Sequence, residues 1–209
     1  MGEAFKKSEK DKVSLAERVK FKESIKTYDL YVNELKLSHE DLSKRILDVG
    51  ADFGLFAVIA KQKGYNDIYS IDIGHPADDY NIDTEITFGA GKMAVADAFK
   101  LPFKDGSFDL AISFCAMPNV VEGENPIDYG KEVKKVFKEM LRVVKVGGEI
   151  RLGRVVSEYQ RGDLQKMGEQ VRNVLRWFDK KPRRFQTSIE VTGKINRDPS
   201  YLVRIKKLS

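Results

Sequence analysis

Cysteine is nearly missing from this chain. Cys115 stands alone, so no intramolecular disulfide can form, and with only His39 and His75 beside it no zinc site built from cysteine and histidine ligands is expected. Long apolar runs are missing too. The longest, residues 55–60 and 114–117, fall far short of the roughly 20 residues that cross a bilayer, so no membrane span is expected. The opening MGEAFKKSEKDK has no apolar stretch of the kind an export signal carries, and Lys6 stands where a myristoylation signal has Ser or Thr. These absences fit a reducing, cytoplasmic setting.

Negative charge is scarce at the two ends and concentrated in between. The net charge is +5. Residues 1–26 and 181–209 are basic, whereas Asp72, Asp78, Asp79, Asp83 and Glu85 crowd one stretch without a single Lys or Arg. That stretch repels phosphate backbones, so basicity alone does not favour a nucleic-acid partner. At 209 residues, 42% of them hydrophobic, the chain makes one domain with some appended structure.

Periodicity places the elements. Leu15, Val19, Ile25, Tyr28, Tyr31, Val32 and Leu35 approximate helical spacing, and Ser38 with Asp41 reads as a capping box for a short helix. From Arg45 onward strand and helix alternate: ILDVG, a helix over about 53–63, IYSID, MAVAD and FDLAISF. A long amphipathic helix carrying Val133, Val136, Phe137, Met140, Leu141 and Val144 follows, with Gly147 as its expected stop, and then EIRLGRVV. Leu164, Met167, Val171, Val174, Leu175 and Phe178 mark a further helix. RFQTSIEVTG and YLVRIKKL, separated by a polar turn over 196–200, read as a hairpin. Apolar strands alternating with helices indicate a doubly wound α/β sheet, mostly parallel, closed by an antiparallel hairpin.

In such sheets ligands bind beyond the carboxyl ends of the strands. After the first strand stands Asp48-Val49-Gly50-Ala51-Asp52-Phe53-Gly54, whose glycines permit a sharp turn and close backbone approach. A dinucleotide fingerprint would need glycine at 50, 52 and 55, and only Gly50 is present, which disfavours a nicotinamide cofactor. Asp72 ends the second strand, placed to accept from a ribose diol. Asp97-Ala98 ends the third, where a carboxylate and a backbone N–H could read the edge of adenine.

ILDVGADFG, the acidic Asp72, and above all DAFKLPFKDGSFDLAISF with a following helix and KVGGEI resemble the class I S-adenosylmethionine-dependent methyltransferases. The resemblance covers about residues 45–156. It implies a Rossmann-like, seven-stranded sheet, with an N-terminal tail and helical segment over 1–44 as a candidate lid and the methyltransferase domain over 45–209. It also implies S-adenosylmethionine as cofactor, with Asp48, Gly50, Ala51, Asp52 and Gly54 around its methionine part and Asp72 on its ribose. Ile73 would pack on adenine, Asp97 and Ala98 would read the adenine edge, and Ser113 would lie beside the methionine moiety. Two positions depart from the family pattern. Val146 replaces a proline before the Gly-Gly pair, and Asp52 replaces the middle glycine. An acid there either crowds the ligand or attracts its ammonium and sulfonium.

Methyl transfer by in-line displacement needs alignment more than a catalytic side chain, so no catalytic residue is assigned. His75, Tyr28 and Tyr31, with Asp78 and Asp79, are candidates for a base. Cys115 reads as an apolar filler and His39 as a surface residue. Trp177 and Phe178 with the adjoining basic helix read as a packed face with a charged exterior. The expected acceptor is a small molecule. The alternatives are an RNA or protein acceptor, or a methyltransferase-like binding module without turnover.

Overall fold

A computed structural model of the chain describes residues 27–52, 54–73, 92–116, 126–154, 163–195 and 198–209. Seven strands form one sheet in the order β3-β2-β1-β4-β5-β7-β6. They are β1 (Ile46–Val49), β2 (Ile68–Asp72), β3 (Lys92–Val95), β4 (Phe108–Phe114), β5 (Val144–Gly153), β6 (Phe185–Ile195) and β7 (Asp198–Lys207). β1 to β5 are parallel, and β7 runs antiparallel to both β5 and β6. This is the doubly wound α/β sheet with a terminal antiparallel hairpin that the alternation predicts. The strand order reverses between β1 and β4, so the connections leaving their carboxyl ends go to opposite faces of the sheet and open a crevice.

Five described helical segments cover the two faces: α1 (27–34), α2 (His39–Leu42), α3 (Leu55–Gln62), α4 (Pro126–Val143) and α5 (Asp163–Asp179). Side chains alternate along β1, and the two faces bury different partners. Leu47 and Val49 join Val136, Phe137, Met140 and Phe178 of α4 and α5 in one core. Ile46 joins Tyr28, Tyr31, Leu35 and Phe56 of α1, its following turn and α3 in the other. The capping box on α2 forms: Ser38 Oγ accepts from the Asp41 N–H, and the Asp41 carboxylate accepts from the Ser38 N–H. The earlier part of the expected leading helix, with Leu15, Val19 and Ile25, lies outside the described residues.

Two boundaries differ from expectation. The hairpin strands extend to Ile195 and from Asp198. More informatively, Gly147 is not the stop of α4. The helix ends at Val143 and the chain enters β5 at once, Val144 pairing with Phe108 before the register jumps to Glu149 opposite Leu110. Gly147, at φ 85°, and Gly148 lie inside the resulting bulge, where a Cβ on Gly148 would sit 2.4 Å from the Asp109 carbonyl oxygen. Strand pairing by Val144 outcompetes another helical turn. The α4 terminus is satisfied instead by the Gly106 N–H, which donates to the Arg142 carbonyl.

Arg142 also fixes the LPFKDGSFD segment. Its guanidinium donates to the carbonyls of Leu101 and Phe103 and to Asp105, while Glu139 accepts from the Leu101 N–H. Most of that motif is therefore scaffolding that aims the β3 and β4 ends.

Candidate functional site

Three left-handed residues shape the loop between β1 and α3: Gly50 at φ 73°, Asp52 at φ 50° and Gly54 at φ 65°. Asp52 is the costly one, because an L side chain in this region is strained by about 1–3 kcal/mol. The loop is sewn to the end of β2. Gly50 and Ala51 donate to the Ile71 carbonyl, and the Asp52 N–H donates to Asp72 Oδ2 at 2.9 Å. Asp52 thus keeps the backbone course that a glycine would take. At Gly54 a Cβ would lie 3.2 Å from Met93 Sδ, and no side chain caps the helix that starts there.

A cavity of about 600 Å³ opens at the carboxyl ends of β1 to β4, within the size range of small-ligand sites. Val49, Gly50 and Asp52 line it from β1, Ile71, Asp72 and Ile73 from β2, and Ala96 to Phe99 from beyond β3. Phe114, Cys115 and Ala116 contribute from β4, and Glu132 from α4. The structure therefore brings together Gly50, Asp52, Asp72, Ile73, Asp97 and Ala98 from the expected set. Ile73 presents its side chain 75% exposed, and Asp97 Oδ1 accepts from the Phe99 N–H at 2.8 Å. Asp48, Ala51, Gly54 and Ser113 are buried and do not line it. Ser113 is buried, with no hydrogen bond to its hydroxyl.

Asp48 is the electrostatic anomaly. It is fully buried, and neither carboxylate oxygen has a hydrogen-bond partner. Burial, then the negative charge of Asp72, push its carboxyl well above the usual range, and the nearby Tyr31 hydroxyl only partly offsets them. Tyr31 itself is wedged between Phe56 and Phe114, ring centroids 4.6 and 4.5 Å away. Burial and the proximity of Asp48 raise its phenol well above the ordinary value. Tyr28 stacks on Phe56 on the same face. Neither tyrosine lines the cavity, and His75, Asp78 and Asp79 lie outside the described residues.

Cys115 departs from expectation. It is exposed, lines the cavity and holds φ at 57°, because the chain turns sharply off β4 there. His39 is on the surface, edge-on to Tyr65. The sequence reading missed Phe99, Phe114 and Glu132. Glu132, whose Oε2 is buried and unpartnered, reads along the chain as one more surface charge beside the apolar stripe of α4.

A family model described as a methyltransferase domain matches residues 47–152, just over half of the chain. The 2-methyl-6-phytyl-1,4-hydroquinone methyltransferase of Synechocystis sp. (strain ATCC 27184 / PCC 6803 / Kazusa) is 38% identical over 125 residues, covering 57% of this chain and 34% of that protein. The chain thus spans about a third of that relative's length. Among solved structures, the PH0226 protein of Pyrococcus horikoshii OT3 shares 19% identity over 94% of this chain and 93% of its own, with a TM-score of 0.56. A SAM-dependent methyltransferase from Methanosarcina mazei shares 20% over 83% and 95%, TM-score 0.55. The [4+2]-cyclase SpnF shares 17% over 87% and 80%, TM-score 0.54. At these identities the structural likeness is one of fold, and the fold alone does not choose a chemistry.

Proposed function

This chain belongs to the class I S-adenosylmethionine-dependent methyltransferases, and we propose that it transfers the methyl group to a small-molecule acceptor. The observation that carries the reading is the cavity where β1 to β4 end, lined by Asp52, Asp72, Asp97 and Glu132 with apolar Ile73, Phe99 and Phe114 between them. Carboxylates around apolar surface suit a cationic nucleoside. The buried Asp48 beneath the Gly50 loop adds a carboxyl, raised by burial, whose ionised form a cation bound against the loop would favour.

In this reading Asp48, the Gly50 to Gly54 loop and Asp52 hold the methionine end, and Asp72 faces the ribose. Asp72 already anchors the loop through the Asp52 amide, so ribose binding and loop shape are coupled. Ile73 offers an exposed apolar face to the adenine ring, and Asp97 with the Ala98 N–H reads its edge. Ser113 supports the β4 end from behind. When bound, S-adenosylmethionine supplies a methyl group made electrophilic by its sulfonium. The protein contributes alignment and exclusion of water, which Phe114 and the β4 end provide on the acceptor side. A proton acceptor is needed only where the acceptor loses a proton on attack.

A small acceptor is supported by the hydroquinone methyltransferase relative and opposed by nothing in the cavity's size. Calorimetric titration tests the cofactor, and incorporation of labelled methyl into fractionated small molecules, RNA and protein tests the acceptor. Binding of S-adenosylmethionine and its demethylated product, without binding of NAD, supports the reading. A chain that binds neither of the first two refutes it. Label that enters only RNA or protein refutes the small-molecule acceptor.

A further inference from the structure

Away from the cavity, three lysines converge on the only tryptophan of the chain. The ammonium groups of Lys134, Lys138 and Lys181 lie 3.9, 4.9 and 3.7 Å from the centre of the Trp177 ring. Lys134 and Lys138 stand one turn apart on α4, where like charges repel. None of the three is ion-paired among the described residues. Burial, then repulsion from Lys138 and Lys181, lowers the pKa of Lys134. Around them Lys135, Arg172, Arg176 and Lys180 are exposed. Of the acids nearby, Glu139 is ion-paired with Arg142, Asp179 accepts from the Thr187 hydroxyl and Glu132 lines the cavity. Cation–π contacts orient these lysines without neutralising them.

We propose that this face, formed by α4 and the end of α5, binds the phosphate backbone of a nucleic acid. Three features select that partner. The patch is rich in lysine and its central aromatic is half-buried, whereas interfaces between proteins deplete lysine and expose aromatic anchors. Docking on a membrane surface requires apolar side chains that enter the lipid, and among the described side chains of α4 and α5, residues 130–143 and 171–179, none is an exposed large hydrophobic. Neutralising phosphates with unpaired ammonium groups and releasing their counterions is what such a cluster does well. Lys134 and Lys138 project from the solvent side of α4, while Glu132 reaches the cavity. The backbone held there is a tether rather than the methyl acceptor, since the carboxylates of the cavity repel phosphate.

Trp177 is its own reporter. The full chain is titrated at low salt with a short DNA duplex of arbitrary sequence while tryptophan emission is followed. We expect a saturable change, with log affinity falling against log salt at a slope of about −2 to −3, or roughly 0.9 per phosphate neutralised. The combined variant Lys134→Gln, Lys138→Gln and Lys181→Gln is expected to lose affinity at least tenfold, and the corresponding arginine variant to keep it. S-adenosylmethionine affinity should stay unchanged in both, which separates this proposal from the activity assigned to the cavity. An unchanged emission with duplex overturns the proposal, as does a glutamine variant that is folded by circular dichroism and binds like the parent. Tighter binding to phosphatidylglycerol vesicles or to a polyglutamate peptide than to the duplex overturns it in favour of those partners.

Discussion

Two buried aspartates, one on α2 and one within β1, have opposite surroundings. Asp41, on α2, is enclosed by donors: the Ser38 N–H and hydroxyl, the Lys44 ammonium and the Arg151 guanidinium. Burial alone would raise its pKa, but these donors together hold it well below the usual carboxylate range. The same Arg151 accepts nothing and donates to the carbonyls of Leu35 and Lys36 and to Glu149, pinning the end of the leading helical segment to β5. Asp48, in contrast, has only the Tyr31 hydroxyl close by, and burial raises its pKa. A buried carboxylate ringed by donors serves the scaffold, whereas one left poorly satisfied is the pattern common at functional sites.

Breaking the satisfied side should have the largest effect. Arg151→Ala leaves the buried Asp41 carboxylate without its guanidinium and is expected to cost about 3–5 kcal/mol in urea unfolding. The folded fraction should still bind S-adenosylmethionine. Total loss of binding by folded protein would contradict the division of labour.

Relieving the unsatisfied side should do the reverse. Asp48→Asn removes a buried ionisable carboxyl and is expected to raise stability by about 2 kcal/mol at neutral pH while weakening S-adenosylmethionine at least tenfold. The two aspartates also differ in sign with pH. Asp41, with its depressed pKa, contributes stability above about pH 4 that is lost as pH falls through its folded pKa. Asp48, with its raised pKa, imposes a penalty that is absent below about pH 4 and grows as pH rises toward its folded pKa. Urea midpoints measured from acid to neutral pH should therefore show the gain of Asp48→Asn growing as pH rises. A gain independent of pH would mean that Asp48 carries no charge penalty.

Two smaller effects sharpen the picture of the cavity. Asp97→Ala is expected to weaken S-adenosylmethionine by about 1–3 kcal/mol, read by calorimetry, because a buried donor on the adenine loses its acceptor. Asp52→Gly should recover about 1 kcal/mol of backbone strain and reduce the preference for S-adenosylmethionine over its uncharged demethylated product. Equal gains for both ligands would show that the Asp52 side chain crowds the site instead of attracting the cation.

The strands and their order of appearance were legible because apolar runs, turn residues and the capping box at Ser38 are local signals. Asp52, Asp72 and Asp97 were legible as strand-end residues. Glu132 and Phe99 were not, since a charge on an amphipathic helix looks the same whether it meets solvent or a cavity. Gly147 misled because a glycine after an apolar helix signals a stop, whereas here it turns the chain within a bulge opposite Asp109.

The amino-acid order alone determined the alternation of strand and helix, the acids at the strand ends and the lack of a nicotinamide fingerprint, all properties of neighbours in the chain. Tertiary structure alone decided which buried carboxylate is satisfied, that Arg142 secures the LPFKDGSFD segment, that Cys115 faces the cavity and that three lysines share Trp177. Each depends on groups far apart in the chain meeting across the sheet, and hydrogen bonding, desolvation and charge repulsion act through those distances in space, not through positions in sequence.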